Sequence, residues 1–301
     1  RRAASRRGGA HRGVMSGEAT GGDAAAFCAA EVRLHDFPRY ASTLFVTPPQ
    51  RRALLALYAF NVEVARVREH IRQPLAGEIR LQWWSDMLEG GGHGYVEGSP
   101  VAAELLAAIK AYDLPVARLL CLIEEHQFDL YNDPMPTREA LASYLDGSVA
   151  VLFALAAKIL GSLSPEIEHV ARHAGQVAGA ADVIATLPMD AARRQLFLPV
   201  ELLAAHGANS EEVFAGVATP KLRAVLDQLI DEATAHYNAT LKELSGLPGA
   251  VRPAFLPLAW AGRRLDVARR PGYDMFAVQQ ASRLRLLWTL WRASRSRIYR
   301  G

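Results

Sequence analysis

Apolar residues recur at three-to-four spacing along almost the whole chain, and alternating β-branched runs are hard to find. The pattern predicts helices over 24–37, 51–71, 77–88, 101–112, 115–130, 138–160, 165–187, 200–206, 220–244, 252–268 and 276–294. Asp23 is placed to cap the first helix and Pro38 to close it. Thr47-Pro48-Pro49 and Gly90-Gly91-Gly92 are breaks. Thr137-Arg138-Glu139 and Ser164-Pro165-Glu166 have the form of helix starts, a capping side chain followed by an acid or a proline. In 51–71, Leu54, Leu55, Leu57, Tyr58, Val62 and Val67 supply a wide apolar face. Connections are short, no fixed-period repeat is visible, and composition does not shift after residue 23. Residues 23–301 therefore form one all-α domain.

Composition narrows the function classes. Half of the 301 residues are apolar and 22% are charged, ordinary for a globular chain that buries its core without staples. Two cysteines, Cys28 and Cys121, exclude a disulfide scaffold or a Cys-rich zinc module and fit a reducing compartment. Charges, glycines or prolines interrupt every apolar run, so no membrane-crossing segment is expected. The net charge of +3 is misleading: Arg1, Arg2, Arg6, Arg7 and Arg12 account for more than all of it and leave the rest at −2. A body this near neutrality gives no basic field for nucleic acid. The Arg-rich head, residues 1–22, is expected to be disordered. Sequence upstream of a true start at Met15 is the preferred explanation, with a targeting segment or a functional arm as alternatives.

Three segments carry candidate chemistry. In Tyr58–Glu69, the residues Asn61, Ala65 and Glu69 share a helix face, and Glu63 and Arg66 form a possible pair. A half-exposed helix with local ion pairs explains the same pattern. In Arg80-Leu81-Gln82-Trp83-Trp84, adjacent tryptophans cannot share a face, so one belongs to the core and the other is available for a cavity or partner. In 182–199, Asp182, Thr186 and Asp190 line one face if the helix survives Pro188, which is expected to kink or end it. Arg193-Arg194 beyond it suits an anion such as diphosphate, or simply a helix's negative end. The nine histidines look scattered, without metal-ligand spacing.

Taken together these segments resemble the squalene/phytoene synthase family. The marks are Tyr58-Ala59-Phe60, Arg80-Leu81-Gln82-Trp83-Trp84, Phe128-Asp129-Leu130, Tyr144-Leu145-Asp146-Gly147-Ser148 and Arg193-Arg194-Gln195-Leu196-Phe197-Leu198-Pro199. The resemblance spans roughly residues 27–299. It implies an all-α isoprenoid-synthase-type bundle around a central apolar cavity. Family enzymes join two prenyl diphosphates head to head. They use Mg²⁺ held by two Asp-x-x-x-Asp motifs, because diphosphate departure leaves a carbocation and a leaving group to be neutralised.

Both motifs are degenerate here. The first motif's leading, second and closing positions fall on Ala65, Arg66 and Glu69; the second motif's leading and closing positions fall on Thr186 and Asp190. Glu69 and Asp190, with Glu63 and Asp182 nearby, are the remaining metal candidates. The resemblance places Tyr144, Arg193, Arg194, Trp83, Arg80 and Gln82 at substrate. The runs at Phe60–Glu63 and Thr186-Leu187-Pro188 look most like a subgroup that includes a mitochondrial complex I assembly factor. It implies a non-catalytic helper that binds an isoprenoid, a lipid or a partner, with respiratory complex I subunits as candidate partners and no cofactor. The alternative is a head-to-head prenyl transferase acting on farnesyl or geranylgeranyl diphosphate, with Mg²⁺ in an altered site. The expected location is cytoplasmic, with peripheral attachment at the inner membrane. The segment 284–299 supports attachment, because Trp288 and Trp291 stand among arginines. A last helix docked on the core, with its arginines in water, is the rival reading.

Overall fold

A computed structural model describes residues 21–91, 98–279 and 281–300, and among these the regular structure is helical. The expectation for the Arg-rich head falls outside the described residues, apart from the two glycines that open the first helix. The helices are α1 (Gly21–His35), α2 (Phe37–Ser42), α3 (Pro48–Ala65), α4 (Val67–His70), α5 (Pro74–Leu88), α6 (Pro100–Tyr112), α7 (Val116–Glu125), α8 (Arg138–Leu145), α9 (Val151–Leu160), α10 (Pro165–Ala192), α11 (Val200–Ala205), α12 (Ser210–Phe214), α13 (Pro220–Leu244), α14 (Pro257–Ala268) and α15 (Arg283–Ser294). Helix α1 packs with α3 and α6, α10 packs with α13 and α14, and α9 touches both groups. One contiguous apolar core runs through them, from Cys28 to Tyr299.

The predicted starts at Thr137 and Ser164 are correct. Each side chain accepts from a backbone N–H three residues on, at 3.1 and 3.4 Å. Pro38 does not close the first helix. It sits in the first turn of α2, where its missing N–H costs nothing, and Asp36 caps that helix through the Arg39 N–H. The predicted 51–71 helix breaks at Arg66, which separates α3 from α4. Pro188 does not end α10, which continues to Ala192; so late in the helix, only one ladder bond is lost.

The stretch Arg138–Leu160 is long and apolar enough to cross a membrane by length and composition, against the sequence expectation. Two-thirds of its most apolar window is buried inside the fold, as suits a core helix. Between α8 and α9 it opens into a π turn, Asp146–Ala150. Helix α10 presses on this turn through glycines four apart. A Cβ at Gly175 would lie 2.7 Å from the Ala150 backbone, and one at Gly179 would strike Leu145. Of the cysteines, Cys28 is a buried core residue as expected, whereas Cys121 is exposed.

Candidate functional site

A cavity of about 440 Å³ opens between the C-terminal end of α3, α4, the π turn and the C-terminal half of α10, with α2 at its rim. Helix α3 brings Asn61 and Ala65 to it and α4 brings Glu69. Helix α10 brings Asp182, Thr186 and Asp190 from the opposite side. Four-residue spacing puts each set on one face, and the second set stays together because α10 survives Pro188. Leu145, Val149, Leu152, Val183 and Phe197 give the lining its apolar part.

Two of the three carboxylates in these sets, Glu69 and Asp182, are already engaged. Glu69 receives a hydrogen bond from Arg66 Nε at 2.8 Å. Asp182 is paired with Arg264 from α14. Glu63 lies off the cavity and pairs with Arg80 at 2.7 Å, not with Arg66. Asp190 is buried and has no cationic partner within ion-pair distance among the described residues. Desolvation pushes its carboxyl up to about 6, against the opposing pull of the Thr186 hydroxyl and the Arg193 charge.

Several predicted substrate residues are elsewhere. Arg80 stacks over the Trp83 ring at 4.9 Å while it holds Glu63. Gln82 is exposed and donates to Asp86 at 2.7 Å. Trp83 is half-buried against Trp84, which is the core tryptophan. Helix α5 turns all three away from the cavity, something that adjacency in a motif does not reveal. Arg194 is also turned away. It adopts φ +57° just past the end of α10, bonds Glu211 at 2.5 Å and stacks on Phe214. Tyr144 and Arg193 do line the cavity. Arg193 is exposed and has no ion pair among the described residues, so its charge is available to an anion.

The sequence reading gave no role to a buried polar cluster at the cavity wall. His126 Nδ1 lies 2.6 Å from one oxygen of Asp129, and the Tyr144 hydroxyl donates to the other at 2.9 Å. Burial and Asp129 hold the Tyr144 hydroxyl well above the ordinary tyrosine range, so it stays a donor. His126 Nε2 is buried without a hydrogen-bond partner, a costly state at a cavity wall. The i,i+3 spacing of His126 and Asp129 is the one local signal that marks this pair. Asp36 and Arg39, joined at 2.6 Å, hold the α2 rim, and Arg68 is bound to the Leu130 carbonyl at 2.8 Å.

An all-α bundle whose two four-spaced motifs face each other across one cavity is the architecture of an isoprenoid synthase. The family model for squalene/phytoene synthase matches residues 32–292, and the chain belongs to that family. A complex I assembly factor 6 of Rattus norvegicus is 27% identical over 264 residues, 87% of this chain and 79% of the relative. The phytoene synthase of Thermus thermophilus is 28% identical over 81% of this chain and 82% of its own length. Among solved structures, squalene synthase HpnC from Alicyclobacillus acidocaldarius superposes with a TM-score of 0.70 at 22% identity, over 83% of this chain and 95% of its own. A dehydrosqualene synthase in complex with ligand superposes at 0.78 and 15% identity, over 91% and 97%. These two likenesses establish the fold.

Proposed function

We propose that this protein is a non-catalytic member of its family that holds an isoprenoid or another lipid in the α3–α10 cavity and assists respiratory complex I assembly. The observation that carries this reading is the pair Ala65 and Thr186, which face one cavity where two leading carboxylates would stand. The donor set supports it further. Glu69 is neutralised by Arg66 and Asp182 by Arg264, and Asp190 is a lone carboxyl with a raised pKa. Mg²⁺ requires several oxygen ligands in near-octahedral array, and these groups do not fit a multinuclear cluster. Without the metals, what remains is a binding site. Arg193 meets an anionic head group, Tyr144 and His126 offer polar contacts below it, and Leu152, Val149 and Phe197 contact a tail. Relatives named as complex I assembly factors support the partner half of the proposal.

The test is titration of the purified protein with farnesyl diphosphate, with Mg²⁺ and with chelator, while pyrophosphate is assayed. Binding that ignores Mg²⁺ and releases no pyrophosphate is expected. A head-to-head prenyl transferase with an altered metal site is the second reading, favoured by the convergence of Glu69, Asp182 and Asp190 on one cavity. Mg²⁺-dependent pyrophosphate release that disappears in Asp190→Ala would establish it and overturn the first. Affinity capture from respiratory membranes tests the partner, with complex I subunits as the expected catch.

A further inference from the structure

Helix α10 carries a second group of ligating side chains near its N-terminus, on a different part of the molecule. His169 and His173 are four apart and share one face. The last turn of α13 lays Glu243 beside them. One ligating atom from each of the three lies within 4.8 Å of the others. His169 Nε2 and Glu243 Oε2 are 3.5 Å apart, close to the about 3.3 Å that separates neighbouring donors around a tetrahedral ion with 2.0–2.1 Å bonds. Behind them, His173 Nδ1 is 2.7 Å from His236 Nδ1 on α13. With His173 Nδ1–H donating to His236 Nδ1, the His173 ring is fixed and its Nε2 lone pair is left for a ligand.

We propose that His169, His173 and Glu243 form a binding site for a divalent transition metal, Zn²⁺ by its chemistry, with His236 as the positioning residue behind His173. Two imidazoles and one carboxylate select zinc-like ions over Mg²⁺ or Ca²⁺, which prefer all-oxygen shells. A fourth position stays open to water or an incoming donor, because His169 is half exposed and Glu243 more than a third exposed. Arg172 is a nearby cation that opposes the ion. His169 and Asp190 are 21 residues apart on one helix, about 30 Å, so this site is separate from the cavity. A metal here clamps α10 to α13.

The experiment is titration of metal-free full-length protein with Zn²⁺, and with Co²⁺ as a spectroscopic probe, alongside thermal melting. One equivalent should bind, raise the melting temperature and give tetrahedral Co²⁺ bands. His169→Asn and Glu243→Gln change exposed groups, so circular dichroism should show native folds. Each should weaken binding about tenfold or more, and His236→Ala, behind the ligands, about 10–100-fold. His206→Asn, at a histidine bonded to Gln228, should change nothing. The proposal is overturned if the protein binds no Zn²⁺, or if the His169 and Glu243 variants bind it as tightly as the parent. Either result would leave His169 and Glu243 as a plain side-chain contact between α10 and α13.

Discussion

Burial is the main cause that raises the Asp190 carboxyl to about 6, well above the usual carboxylate range. A folded pKa of about 6 against 3.8 unfolded means that folding favours its protonated form. That contribution is full below about pH 4 and lost as pH rises through about 6. Asp190→Asn should therefore raise stability by an order of 2–3 kcal/mol above pH 7 and leave it unchanged near pH 4, as read by denaturant unfolding at the two pH values. The same charge repels an anion in the cavity. Affinity for a diphosphate should accordingly rise as pH falls below about 6, and the Asn variant should flatten that profile. Arg193→Ala should weaken diphosphate binding about tenfold or more, while Arg194→Ala should leave it unchanged, since Arg194 serves Glu211 and Phe214. Equal effects from the two variants in calorimetry would remove Arg193 from the site. At this scale the sequence was legible where spacing alone decides a face, as for Ala65 with Glu69 and Thr186 with Asp190. It was silent where tertiary packing decides. Nothing local says that α5 turns Arg80, Gln82 and Trp83 away, or that Tyr144 reaches Asp129 from another element. His169 and His173 stood at helical spacing all along, but their partners come from α13, about 70 residues further on.

Between elements, the closest approach is that of α10 to the π turn, where glycine is required for space rather than for conformation. Gly175→Ala would place a methyl 2.7 Å from backbone atoms of Ala150, which cannot rotate away. Overpacking of this kind costs about 1–3 kcal/mol and outweighs the roughly 1 kcal/mol that alanine gains in a helix. The expected result is a lower denaturant midpoint together with weakened ligand binding, because Ser148 and Val149 of the π turn line the cavity. Hydrophobic periodicity located most of the helices, since each buries a continuous stripe. It missed α2 and α12, which are short and gain their order from packing and caps. It could not show the π turn either, because one extra residue in a helix leaves no compositional trace.

For the whole molecule, the remaining surface feature of note is α15. Leu286 and Leu290 seat it against Ala41 and Trp260, whereas Leu284, Trp288 and Trp291 face out, 80%, 61% and 41% exposed. The helix is thus both docked and outwardly apolar, and Arg283, Arg285, Arg292 and Arg295 accompany it. The two outward indoles stack at 4.9 Å. Such a face suits an anionic membrane interface. Trp288→Ser with Trp291→Ser should reduce co-sedimentation with vesicles containing anionic lipid and leave the melting temperature nearly unchanged. Retention of the parent in the supernatant would count against attachment. The fold was legible at this scale because a sequence that reads as helix throughout has few ways to bury its stripes, while the second face of α15 depends on what it docks against. The seat of α15 is a four-residue cluster set apart from the main core. An element held in this way opens at a small fraction of the free energy of global unfolding, so its amides should exchange with deuterium long before those of α9. Because α15 rests on α2, which carries Arg39 to the cavity rim, and on α14, whose Arg264 holds the cavity's Asp182, each such opening also loosens the rim. Attachment of α15 to a surface and entry of a ligand beside α2 would then share one latch.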